Sequence, residues 1–484
     1  MPEIDPAEMA ANAGGYQDLD GEPWNGLFVR SQVQVTFDSS QATGHRMTPF
    51  EVANVFGKVA LGKIVEDGGF PIVRSPGEPA RSFQRQRSLL GLTTRQVAKE
   101  SGIPEAAVIA AETAGTLTPV RRLERLAQQL GLDEHRIGRD QDVGGASELG
   151  ARLKRSMDRS DSSTVALTPT TVLKLAEAAW VIARRAEFEE LVANAVRRGP
   201  RVTPRAEPLA SGPAWKQGYE LAQRARELFG LDSEEPIPSL RSLLDERNGI
   251  PLLAIEMGQK VAGATLANGR HRGIVVNTIG LNENVWVRRT TAAHELCHFL
   301  WDSDENLDLL RVDSYDLLER GFGLHSTDPI EQRANAFAVE FLAPRCGILV
   351  LVRSLTTREA ALSLISQHYG ISVSSAGYHL DNANHGNPAL YRKAHVSVQP
   401  SHEWQAAENF GLDFFPMPSS PNARRGRFAQ LVAREVDAGR LTPDSGAILL
   451  AVSLSEFEKG LNGLLQLDLW QQKARPDESL APRL

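Results

Sequence analysis

The chain has 484 residues, 42% apolar and 23% charged, the balance of a globular protein with room for about two to four domains. Its net charge of −7 argues against nucleic acid as a partner of the whole molecule. Cys297 and Cys346 are the only two cysteines, which excludes a disulfide framework and points to a reducing cytoplasm; no apolar run or signal core suggests a membrane.

Residues 1–80 carry no assignable chemistry. The first 25 are acidic and glycine-rich, Val33-Gln-Val-Thr-Phe37 alternates like a short strand, and Thr48-Pro49 opens a helix running to about Ile64. Ser75-Pro-Gly-Glu-Pro79 reads as a linker.

Residues 81–138 predict four short helices. The first covers Phe83–Leu90, the second follows the Thr93 cap, the third runs from Pro104 to Ala114 and the fourth from Val120 to Leu130. Leu89, Val97, Ile103, Val108, Leu123 and Leu126 supply their core. The spacing of Leu92-Thr93, Val97-Ala98, Gly102-Ile103 and Glu112 resembles an Xre/Cro-type helix-turn-helix domain. Such domains lay their third helix in the major groove. Here its leading residues, Pro104, Glu105, Ala106 and Ala107, offer little for base hydrogen bonds. Nine Lys/Arg against six Asp/Glu over 81–137 still allow phosphate contact. Thr94, Arg95, Lys99 and Glu105 are the positions a duplex would meet, and DNA is kept as a secondary partner.

Residues 139–213 read as linker and spacer: polar runs around one short helix at about 147–158, then a long apolar-faced helix from Thr168 to about Arg198, then a proline-rich segment. The next unit, 214–387, opens with helices Trp215–Leu228 and Pro238–Asn248 and continues with three strands near 250–256, 260–267 and 273–278.

The segment from Val285 to Trp301 carries His294-Glu295-Leu296-Cys297-His298. On a helix, residues four apart stack on one face, so His294 and His298 present two imidazoles to one point, a spacing that suits zinc. Glu295 lies about 100 degrees round the helix. There it reaches a water at the metal without being a ligand, placed to take and return a proton. The surrounding Ala292, Ala293, Leu296, Phe299 and Leu300 make the helix apolar on most sides. Buried imidazoles and a buried carboxylate need a partner to offset their desolvation.

A third ligand is expected downstream, since gluzincin-type sites take a glutamate from a second helix. Asp328 caps and Pro329 begins such a helix, and Pro344 stops it. Glu331, Ala334, Asn335 and Ala338 share one face, small apart from its two polar groups. Glu331 is the expected ligand, and Asn335 the partner that orients one histidine. A capping-box role is the competing reading of Glu331. Glu340 and His325 are weaker alternatives, and His325 also a candidate for stabilising an oxyanion. Arg288 and Arg289 read as structural.

The ordered segments Ala222–Leu231, Pro236–Leu244, Gly249–Leu253, Gly273–Asn277, Arg288–His298 and Glu331–Pro344 together resemble the ImmA/IrrE family of zinc metallopeptidases over roughly Trp215 to Asn387. Cys297 stands where that family usually has glycine, and Ala343-Pro344 where Met-Pro is usual. The resemblance implies an α+β fold, mainly helical with a small sheet. It implies a gluzincin-like core with one zinc ion on His294, His298 and Glu331, and Glu295 as base. It further implies a sheet edge that takes the substrate as an added strand, and cleavage of a protein substrate, often a helix-turn-helix repressor. The alternative is a DNA-binding regulator whose metal site is structural. A third reading has residues 1–140 restraining the peptidase. After Pro344, Thr357–Tyr369 and Ser374–Leu380 predict a second helix-turn-helix shape. Residues 388–484 predict a helical tail, with helices near 423–438, 443–450 and 454–466.

Overall fold

A computed structural model describes residues 16–17, 23–24, 26–39, 42–139, 149–155, 167–196, 212–259, 261–303, 307–310, 328–383, 391, 396–409 and 415–473. The fold is α+β, mainly helical with small sheets. The chain forms two compact units: residues 1–147 with 411–484, and the continuous stretch 148–410.

In the first unit, Phe28–Arg30 lies between His45–Met47 and Gln34–Phe37, and Gly69–Pro71 completes a four-stranded antiparallel sheet. The sequence showed only one of these strands, because three-residue strands leave too little alternation to read. The helix expected from Thr48 is two helices, Pro49–Phe56 and Lys58–Asp67, divided at Gly57, whose φ of 93° breaks the turn. Phe28, Val35, Met47, Val52, Leu61 and Ile64 form their shared core. The four helices of the next stretch are Ala80–Leu89, Thr94–Ser101, Glu105–Ala111 and Val120–Gln129. Thr93 and Gln96 form a capping box on the second, and Arg87 and Glu112 pair through two 2.7 Å bonds. The tail helices Arg427–Asp437, Pro443–Leu449 and Leu454–Lys473 belong to this unit, and buried Arg424 donates to Gln128 Oε1 at 2.8 Å.

The second unit is labelled in chain order. Its strands are β1 (Leu149–Arg155), β2 (Leu252–Ile255), β3 (Val261–Asn268), β4 (His271–Asn277) and β5 (Asp308–Leu309). Its main helices are α1 (Pro169–Val196), α2 (Ala214–Leu228), α3 (Val285–Trp301), α4 (Pro329–Leu342), α5 (Arg345–Val352), α6 (Arg358–Tyr369) and α7 (Val373–Ala383). The strands form one sheet in the order β5-β1-β3-β4-β2, antiparallel except for β4 with β2.

The structure corrects two expectations for residues 139–213. The stretch expected as a short helix at about 147–158 is strand β1, paired with β3 from Leu149 to Arg155. A lone seven-residue run has no periodicity long enough to separate helix from strand, and the partner that decides it lies far along the chain. The helix expected as a spacer is α1, and it is part of the sheet's packing. Leu175, Ala176, Trp180, Val181 and Ile182 are all buried. Ile182 presses on Gly273 of β4 so closely that a β-carbon there would sit 2.6 Å from it.

α3 covers the opposite face. Gly263 and Thr265 alternate with Ala264 and Leu266 along β3, and a β-carbon at Gly263 would meet Thr291 at 2.6 Å and Glu295 at 3.2 Å. α4 packs on α2 just as tightly: a β-carbon at Gly218 would lie 2.2 Å from the Arg333 carbonyl. Buried Arg289 donates to the carbonyls of Gly370 and Ile237, pairs with Glu408 and stacks on Trp404, so it ties α3 to α6. α6 and α7 form the expected second helix-turn-helix shape. His379 of α7 is buried, bonded to Ala343 O at 2.7 Å and Tyr219 Oη at 3.1 Å, and burial lowers its pKa to about 4.

Candidate metal centre

Asn284 caps α3 by accepting from Trp286 N, and Asp328 caps α4 by accepting from Ile330 N, with Pro329 in the first turn. The two helices pack together, both mostly buried at the contact. His294 and His298 stack on one side of α3 with ring centroids 4.8 Å apart, and Glu331 faces them from the first turn of α4. His294 Nε2 lies 3.1 Å from Glu331 Oε2 and 3.0 Å from His298 Nε2; His298 Nε2 lies 3.5 Å from Glu331 Oε1.

The far nitrogens settle which atoms point inward. His294 Nδ1 donates to Asn335 Oδ1 at 3.0 Å, and His298 Nδ1 donates to Asp302 Oδ2 at 2.7 Å. With those protons placed by their acceptors, both Nε2 atoms carry lone pairs aimed at each other and at a carboxylate. Two imidazole nitrogens and a carboxylate in van der Waals contact repel unless a cation lies between them. Tetrahedral zinc with bonds of about 2.0–2.1 Å sets its ligand atoms roughly 3.3–3.4 Å apart. The three observed separations, two of them to different oxygens of the Glu331 carboxylate, bracket that spacing, so the donor set fits a zinc ion.

The acid–base balance of these groups follows from packing. Burial opposes ionisation of Glu331. In the metal-free site, where the facing imidazoles can take up a proton, the His294 hydrogen bond, the charges of the protonated histidines and the Arg152 guanidinium outweigh it and hold the carboxyl well below the usual range. Asp302 is also held low against burial, by the His298 hydrogen bond and by Arg333. Arg272 further fixes the end of α3 by donating to the Asp302 carbonyl at 2.7 Å. Glu295 is fully buried against β3, where Thr265 Oγ1 donates to its Oε2 at 2.9 Å. Cys297, in the same helix, is buried, and burial pushes its thiol far up.

The structure thus brings together His294, His298, Glu331 and Asn335, with Glu295 on the adjoining face of α3. Glu331 turns to the histidines rather than back to cap its own helix. Glu340 stands apart, paired with Arg345 at 3.3 Å. His325 lies outside the described residues, as do most of 302–328 and the linker 204–211. Thr94, Arg95, Lys99 and Glu105 belong to the other unit; Thr94 Oγ1 donates to Glu105 Oε1 at 3.1 Å, and Arg95 and Lys99 are exposed. Sequence reading missed Asp302 as the His298 partner, although a carboxylate four residues past the second histidine was visible. It also missed Thr265 and Arg152, which reach the site only through strand pairing.

Two helices bearing His-Glu-x-x-His and a facing glutamate, beside a mixed sheet, define a metallopeptidase-like unit. Residues 246–381 match the family model described as the IrrE N-terminal-like domain, Peptidase_M78, which supports the resemblance to ImmA/IrrE peptidases for this segment. No curated protein matches the chain. Among the described residues no single helix is long and apolar enough to cross a membrane.

Proposed function

We propose that residues 148–410 form a zinc metalloendopeptidase. The observation that carries this reading is the convergence of two oriented imidazole nitrogens and one ionised carboxylate at zinc-ligand spacing, one residue from a buried glutamate. His294, His298 and Glu331 hold the ion, and Asn335 and Asp302 fix the imidazoles so that no reorganisation is needed on binding. When bound, zinc supplies Lewis acidity to a water and to the scissile carbonyl. Glu295 takes the proton of the attacking water and passes it to the departing amine. Thr265, donating to one oxygen of Glu295, fixes the orientation of the carboxylate for that transfer. An edge strand of the sheet is where an extended substrate adds as a strand, its backbone hydrogen bonds giving the affinity. The resemblance to ImmA/IrrE peptidases supports a helix-turn-helix repressor as substrate.

The test is metal analysis of the purified chain, with cleavage of the repressor encoded by a neighbouring gene. Glu295→Gln is expected to keep zinc and lose about 10²–10⁴-fold in cleavage rate, the usual contribution of a general base. Cleavage at the wild-type rate in that variant rejects the mechanism.

A further inference from the structure

The matched segment begins at residue 246, yet a side chain from well upstream enters the metal centre. β1 pairs with β3 in a register that sets Arg152 opposite Thr265, the residue bonded to Glu295. Residues opposite one another in a ladder share a sheet face, so Arg152 is on the side that α3 covers. Its Nε donates to Glu331 Oε1 at 2.8 Å, and its Nη2 donates to Asp328 Oδ2 at 2.9 Å and lies 2.8 Å from Glu331 Oε1. The guanidinium is largely buried, its side chain 13% exposed. One planar group therefore grips the cap and the first turn of α4 together.

A ligating carboxylate can rotate and offer either oxygen. What fixes it is a partner on the oxygen turned away from the ion, and a guanidinium fork does this with defined angles, unlike an ammonium. Here Oε1 is taken by Arg152 and lies 3.5 Å from His298 Nε2, while Oε2 is presented more closely to His294 Nε2, at 3.1 Å.

We propose that Arg152 is a positioning residue of the metal centre, holding Glu331 in its ligating orientation, so that the site is completed by strand β1 from outside the matched domain. The proposal rests on the zinc reading above. It differs from a plain structural salt bridge in that the loss falls on metal affinity.

The experiment measures Zn²⁺ affinity of the full chain by competition with a chromophoric chelator. Arg152→Gln is expected to weaken binding about 10- to 100-fold, the usual effect of losing a partner that orients a ligand. Arg152→Lys, which keeps the charge but not the fork, should recover part of that loss. Glu331→Gln sets the floor. Wild-type chain that binds no Zn²⁺ overturns the zinc reading and this proposal with it. Wild-type binding with unchanged affinity in Arg152→Gln overturns the positioning role alone. Tighter binding in that variant also overturns it, by making the guanidinium a competitor of the ion. Should Arg152→Gln not fold, Asp328→Asn keeps the helix cap and releases one arm of the grip; it should weaken binding several-fold, and unchanged affinity overturns the proposal.

Discussion

His294 and His298 differ in what holds them. An amide oxygen accepts from His294, a carboxylate from His298. The bond to the carboxylate is charge-assisted and the shorter of the two, so it fixes its ring the more firmly. Cys297 sits between them in sequence yet takes no part, because it is buried in the core and its thiol stays protonated there. Cys346 is exposed on α5. A thiol reagent should therefore label one cysteine per native chain, at Cys346, and two after denaturation. Labelling of Cys297 in the native protein, read by mass spectrometry of the digested chain, would show that α3 is too loosely packed to hold its histidines in place.

At the level of elements, the site depends on how closely α2 and α3 press on their neighbours. Gly218 sits in mid-helix, where glycine costs about 1 kcal/mol against alanine, so its presence reflects a steric need. A β-carbon there would strike the Arg333 carbonyl and Ala336, forcing α4 away from α2. Gly218→Val should cost about 3 kcal/mol or more in stability, seen as a lower denaturation midpoint, with Gly218→Ala intermediate. A neutral result for valine would mean that the two helices do not meet at this point. The same elements show what was legible beforehand. The helix bearing His294 and His298, the Asp328 cap, Glu331 and Asn335 all follow from spacing within one helix, which sequence states directly. Strand β1 and the role of Arg152 depend on pairings across more than a hundred residues, and the true setting of α1 on a strand far along the chain. Nothing local in Leu149–Arg155 announces its partner. The short strands of the first unit were hidden for the same reason: their order comes from neighbours, not from alternation.

Across the molecule, the first unit is closed by contacts between its earliest and latest segments, and these are polar and buried. His45 Nδ1 bonds Glu124 Oε1 at 2.9 Å and its Nε2 bonds Ser445 Oγ at 2.8 Å. Glu51 accepts from Thr48 N at 2.8 Å and Thr442 N at 3.3 Å, and Ser445 reaches its other oxygen. Burial raises the Glu51 pKa to about 7, only partly opposed by His45 and the hydrogen bonds from Ser445, Thr48 and Thr442. Burial works to lower His45, but Glu124 and Glu51 outweigh it, and its pKa ends above the ordinary value. Both folded values thus exceed the unfolded ones. Stability from Glu51 is fully present below about pH 4.5 and is lost as pH rises toward 7; that from His45 is present below about 6.5 and is lost as pH rises through its folded value. Glu124 is shifted down, so its loss comes only at acid pH and does not oppose this trend. Between pH 5 and 8 the first unit should therefore become less stable. Glu51 accounts for about 3 kcal/mol of this at most, since each tenfold change in proton affinity is worth about 1.4 kcal/mol. Amide-exchange protection of the Phe28–Met47 strands, corrected for intrinsic exchange, measures this unit separately from the peptidase-like one. Protection should fall across that range in the wild type and flatten in Glu51→Gln. If protection instead rises with pH, Glu51 is ionised in the folded unit and the polar seal between residues 45–51 and 442–445 carries the opposite charge balance.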